Sequence, residues 1–157
     1  MSSLPAPSLK SRWFHDYVQG EVFEFGDYQV TAHEIIAFAS RYDPQPFHVD
    51  AAAAAQSHFG SLVASGWMTG GVLMRMLCDH FIPEVSAMGS PGVDQLRWLR
   101  PVRPGDQLHA RVTVLETRQS RSKPDRGTVL LRQEAINQHG EVVMSLQGMA
   151  MFRCRPT

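Results

Sequence analysis

An α+β fold is expected from the sequence, with one antiparallel sheet wrapped around one long buried helix. Residues 66–81 carry an apolar stripe at helical spacing (Trp67, Val72, Leu73, Met76, Leu77, Phe81), and Pro83 forbids continuation. After Gly89, four segments in a row (93–99, 107–117, 128–137 and 141–152) are rich in β-branched or alternating apolar residues. Four consecutive strands imply an antiparallel sheet, and the single long helix ahead of them must bury its stripe against it. A chain of 157 residues, 43% hydrophobic, fits one domain with a real core.

The remaining elements follow in chain order. Residues 1–16, with Pro5, Pro7 and several serines, are expected to form a loose arm of the single domain 1–157. Residues 18–25 alternate apolar and polar positions and stop at Gly26-Asp27, as a short strand would. Thr31 with Glu34 has the form of a capping box, after which Ile35, Ile36, Phe38 and Ala39 keep helical spacing until Pro44. That helix delivers Asp43. Residues 51–56 are alanine-rich and favour another helical turn capped by Asp50. Gly70 and Gly71 weaken an isolated helix by about 1 kcal/mol each relative to alanine, which suggests close approach of a neighbouring backbone.

Composition excludes several function classes. Lys and Arg total 15 against 15 Asp and Glu, so no long-range field recruits nucleic acid or an anionic membrane. Two cysteines, Cys78 and Cys154, make no disulfide framework, and no apolar run approaches the ~18 residues of a membrane span. The N-terminus lacks the basic-then-apolar order of a signal peptide, so a reducing cytoplasm is the expected location. His48, Asp50, His58, Cys78 and His80 match no usual zinc spacing, and no metal is expected.

The chemistry concentrates in Asp43-Pro44-Gln45-Pro46-Phe47-His48, followed by Phe59-Gly60 and Ala64-Ser65-Gly66. A carboxylate and an imidazole stand five positions apart on a proline-stiffened loop, and a glycine opens the long helix. Two proton-handling groups near a helix N-terminus suit water chemistry on an activated carbonyl. Each also has a structural reading. Asp before Pro forms turns, a histidine near a helix start caps or packs, and Gly66 can serve close packing as well as an oxyanion. Ser65 lacks the flanking glycines of a nucleophile elbow and is read as a helix cap.

These residues resemble the MaoC-like dehydratases, the hot-dog-fold family that includes the (R)-specific enoyl-CoA hydratases. The signature there runs Asp, any residue, Asn, Pro, any residue, His, and this chain departs from it at Gln45. The Phe59-Gly60 pair, the turn into the central helix and the connection Arg100-Pro101-Val102-Arg103-Pro104-Gly105-Asp106 match as well. The resemblance implies a hot-dog homodimer binding acyl-CoA or acyl-carrier-protein thioesters near the subunit interface, with a tunnel for the acyl chain. It also implies no metal or redox cofactor, coenzyme A entering only as part of the substrate.

The implied reaction is hydration or dehydration across the 2,3 double bond of an enoyl thioester. Asp43 and His48 are then the acid and base, and the Gly66 N–H receives the thioester oxygen. Gln45, Phe47, Ser65, Arg121 and Lys123 are the further substrate-binding candidates. The cluster Arg118, Arg121, Lys123 and Arg126 also reads as a solvated turn, although coenzyme A carries phosphates that need such partners. Trp67 and Trp98 are read as core or dimer contacts rather than an adenine platform. A hot-dog thioesterase and a non-catalytic acyl-thioester binding protein are the competing functions.

Overall fold

The computed structural model describes residues 8–157. Five strands form one antiparallel sheet: β1 (Val22–Gln29), β2 (Val93–Trp98), β3 (Gln107–Gln119), β4 (Arg126–Ile136) and β5 (Val142–Arg153), in the order β1-β3-β4-β5-β2. Between β1 and β2 come α1 (Ala32–Tyr42), the short turns α2 (Pro46–Val49) and α3 (Ala51–Gln56), and the long α4 (Gly66–His80). The sheet wraps α4, whose Met68, Val72, Leu73, Met76 and Leu77 are buried against alternate residues of β3, including Leu108, Ala110, Val112 and Val114. This is the α+β hot-dog arrangement expected from the sequence.

Several elements differ from that expectation. The first strand begins later and does not stop at Gly26, because Gly26 (φ +92°) sits in a register shift between Phe25 and Tyr28 and the strand runs on to Gln29. A Cβ there would strike the Met76 side chain, so the glycine marks a bulge pressed onto α4. Within the chain the sheet does not close on Gly70 or Gly71: an added methyl would meet only Met144, at 3.4 Å, for Gly70 and open space for Gly71, so of the sheet or partner backbone expected there the sheet is not the one. Gly66 is the tight position, since a Cβ there would overlap the Trp98 indole. Trp67, assigned to the buried stripe, is 62% exposed and pairs edge-on with Trp98 at 5.0 Å.

Residues 1–7 lie outside the described part, but residues 8–16 are not a loose arm. Two short 3₁₀ turns, Leu9–Ser11 and Phe14–Asp16, lead into Tyr17, and Arg12, Phe14 and Tyr17 are buried. Arg12 grips Glu21 with both terminal nitrogens, at 3.0 and 3.1 Å, and lies over the Phe23 ring. Among the described residues no helix is long and apolar enough to cross a membrane.

Candidate active site

The fold brings the carboxylate, the imidazole and the start of α4 together. Asp43 terminates α1, its N–H closing on the Ala39 carbonyl at 2.8 Å, and Pro46 then begins α2 where its missing N–H is harmless. One turn of α2 turns His48 inward, where it is 6% exposed, and Asp50 caps α3 by accepting from Ala52 and Ala53. Thr31 starts α1 by accepting the Glu34 N–H, but the reciprocal half of the expected box is missing because the Glu34 carboxylate takes the Tyr28 hydroxyl instead.

His48 is held in one tautomer. Its Nδ1 lies 2.6 Å from the Val63 carbonyl oxygen, which can only accept, so Nδ1 carries a hydrogen and Nε2 is the ring nitrogen that exchanges a proton, holding the lone pair whenever the ring is uncharged. Nε2 is 3.4 Å from Asp43 Oδ2. That separation is too long for a strong direct hydrogen bond and lets both atoms address one small molecule. No side-chain motif signals the Val63 carbonyl, so the sequence reading missed it.

Asp43 is held as a carboxylate. Gln45 donates to Oδ1 at 2.6 Å and Ser65 donates its hydroxyl to Oδ2 at 2.7 Å. The Gln45 hydrogen bond, then the Ser65 bond and the neighbouring His48, hold the carboxyl below its usual pKa against the opposing effect of burial. The residue that departs from the family signature thus performs an orienting task, its amide reaching the carboxylate two positions back. Ser65 is fully buried, and its oxygen also accepts the Trp67 N–H at 3.3 Å, confirming its capping role.

Gly66 follows this cap as the first residue of a 15-residue helix, and its N–H has no acceptor among the described residues. Its carbonyl accepts from Trp98 Nε1 at 2.9 Å. A cavity of about 270 Å³ opens here, with His48, Phe47, Phe59, Gly66, Thr69 and Trp98 on its wall. Asp43 does not line this cavity, but its Oδ2 is 3.4 Å from Nε2 of His48, which does. Asp43, Gln45, Phe47, His48, Ser65 and Gly66 therefore gather in one place, joined by Trp98, which the sequence reading took for a core or dimer contact, and by Thr69, to which it gave no role.

Arg121 and Lys123 are not part of this gathering. They lie on the β3–β4 turn, which β4 carries to the end of the sheet where Gly127 pairs with Phe152, whereas the site cavity touches Val143 at the other end of β5. The two ends are separated by about 30 Å of strand. Arg118 is engaged by Glu116 at the end of β3, and Arg126, which opens β4, by Asp125 before it. Among the described residues, no three His, Cys, Asp or Glu side chains converge as metal ligands would.

The family model of the MaoC like domain matches residues 16–137. The chain belongs to the MaoC-like dehydratase family. A MaoC-like dehydratase from Rhodospirillum rubrum is 39% identical and superimposes with a TM-score of 0.88, over 94% of this chain and all of the other. The R-hydratase PhaJ1 from Pseudomonas aeruginosa, 24% identical, shares the fold with a TM-score of 0.71 over 91% of this chain and 86% of its own. A mesaconyl-CoA hydratase from Cereibacter sphaeroides is 38% identical over 78 residues, which span 48% of this chain but only 22% of that protein. Membership of the MaoC-like dehydratase family supports hydro-lyase chemistry as the broad activity class.

Proposed function

We propose that this MaoC-like protein is an enoyl-thioester hydratase, working in either direction across the 2,3 double bond of an acyl-CoA or acyl-carrier-protein substrate. The observation that carries the reading is the pairing of an ionised Asp43 with a tautomerically fixed His48 beside the free Gly66 amide. In hydration, a water held between Asp43 Oδ2 and His48 Nε2 gives a proton to Nε2 as its oxygen bonds to C3. The electron pair of the double bond moves toward the thioester oxygen, which the Gly66 N–H stabilises, and the imidazolium returns the proton to C2. One water adds and the enzyme is regenerated. Protein groups alone carry these steps, so the reading requires no metal or redox cofactor.

The acyl chain leaves the site along the groove between α4 and β5, where apolar side chains border further cavities. A second copy of the chain, paired along β2, would cover this side. β2 is an open sheet edge, and Val93, Trp98, Trp67, Met74 and Met149 around it are exposed apolar residues. A homodimer in the cytoplasm is the setting this reading favours.

The test is loss of crotonyl-CoA absorbance by the wild type, Asp43→Asn and His48→Ala. Turnover by the wild type and its collapse in both folded variants supports the proposal. Release of free thiol without loss of the enoyl chromophore would establish a thioesterase instead, and binding without either reaction a carrier.

A further inference from the structure

Three cavities follow one another along α4 toward Phe81 and Phe152: the second and third share Met74, Leu77 and Ala150, while the site cavity shares no lining residue with them and meets the second only through the consecutive helix positions Thr69 and Gly70. Next to the site cavity, a space of about 100 Å³ is bordered by Gly70, Leu73 and Met74 on the helix and by Leu146 and Gly148 on the strand. Beyond it, one of about 210 Å³ is bordered by Leu77 and Phe81 and by Ala150 and Phe152. In the second and third cavities the helix positions advance by three or four and Leu146, Gly148, Ala150 and Phe152 by two, so one helix stripe faces one strand face there, whereas the site cavity meets β5 at Val143. At 1.5 Å per residue, Gly66 to Phe81 spans about 22 Å. Phe81 and Phe152, each 1% exposed, close the far end.

The N-terminal arm stands behind this wall. The Tyr17 ring stacks on Phe152 at 4.5 Å and tilts onto Phe81 at 6.1 Å, filling the space into which either phenylalanine would otherwise turn. The arm is anchored at two points ahead of that contact. The Lys10 ammonium donates to the Cys78 carbonyl and, at 2.8 Å, to the Ile82 carbonyl, while the Arg12 carbonyl accepts the Ser86 hydroxyl at 2.6 Å. The buried Tyr17 hydroxyl has no hydrogen-bond partner among the described residues, so the position uses the bulk of the ring rather than its polarity.

We propose that Tyr17, acting through Phe81 and Phe152, is the positioning residue that sets the longest acyl chain the groove admits. This rests on the enoyl-thioester reading above. An alkyl tail following these cavities passes Gln133 and Ser90 among otherwise apolar walls until the two rings stop it, and the rings hold because Tyr17 leaves them nowhere to go.

The experiment compares kcat/KM for crotonyl-, octenoyl- and hexadecenoyl-CoA in the wild type, in the widening variants Tyr17→Leu and Phe81→Leu, and in the narrowing variant Ala150→Phe. The wild type is expected to lose roughly tenfold between octenoyl- and hexadecenoyl-CoA, a step each widening variant restores while crotonyl-CoA turnover stays unchanged. Ala150→Phe is expected to lose octenoyl-CoA and keep crotonyl-CoA. If the wild type works but neither widening variant, folded by circular dichroism, changes the ratio among chain lengths, the role of Tyr17 is overturned and the hydratase reading survives. Unfolding of one widening variant leaves the other to decide. A wild type inactive on all three substrates overturns the hydratase reading itself.

Discussion

Ser65 donates its hydroxyl hydrogen to the Asp43 carboxylate across 2.7 Å, while the same oxygen accepts the amide of Trp67 in the first turn of α4. One side chain therefore joins the proposed acid–base residue to the helix proposed to stabilise the oxyanion. Ser65→Ala is expected to cost about 1 kcal/mol of stability through the lost cap, read by urea denaturation. It should also lower kcat, while Ser65→Thr or Ser65→Asn restores the stability.

The pH dependence has a defined sign. Gln45, Ser65 and His48 hold the Asp43 carboxyl below its unfolded value, so its stabilising contribution is complete above the unfolded carboxylate pKa and is lost as pH falls through the folded one. Gln45→Leu removes the largest favourable influence. The acid limb of the kcat/KM profile should then move to higher pH, and Gln45→Asn should sit between this variant and the wild type. An unmoved limb would mean that Asp43 is not the group titrating there.

Direct removal of the proton-handling groups should be severe. His48→Ala and Asp43→Asn are each expected to lower kcat by about 10²–10⁴ with the fold intact, checked by initial rates beside circular dichroism. Combining them should cost little more than either alone if both act on one water.

Gly66→Ala separates packing from catalysis. Alanine keeps the amide hydrogen but drives its methyl into the Trp98 indole, at an expected cost of about 1–3 kcal/mol. In a Trp98→Ala background the same substitution should be nearly neutral in stability and recover turnover. Persistent inactivity in that background would show that the substrate itself needs the missing side-chain space.

The arm should matter more than its composition suggests. Arg12 is buried against Glu21, so Arg12→Ala leaves a carboxylate without its partner and is expected to destabilise the protein by about 3 kcal/mol in urea.

What the sequence made legible was whatever lies in local pattern. The helical stripe before Pro83, the run of strands, the Asp50 and Ser65 caps and the spacing of Asp43 and His48 all depend on neighbours within a few residues. Long-range relationships were hidden. That β2 crosses to the far edge beside β5, that Trp98 lies against Gly66, and that Val63 fixes the imidazole are properties of the closed fold. Gly26 misled because a bulge glycine and a terminating glycine look alike in one dimension. Arg121 and Lys123 misled because their charge fitted coenzyme A phosphates, while the strand length that carries them away is not a charge property.

The bond from Trp98 Nε1 to the Gly66 carbonyl ties the outermost strand to the opening turn of the central helix. Whatever associates along that border thereby gains leverage over the amide meant for the substrate. Specific activity should then rise with protein concentration, falling away on dilution before the polypeptide itself unfolds.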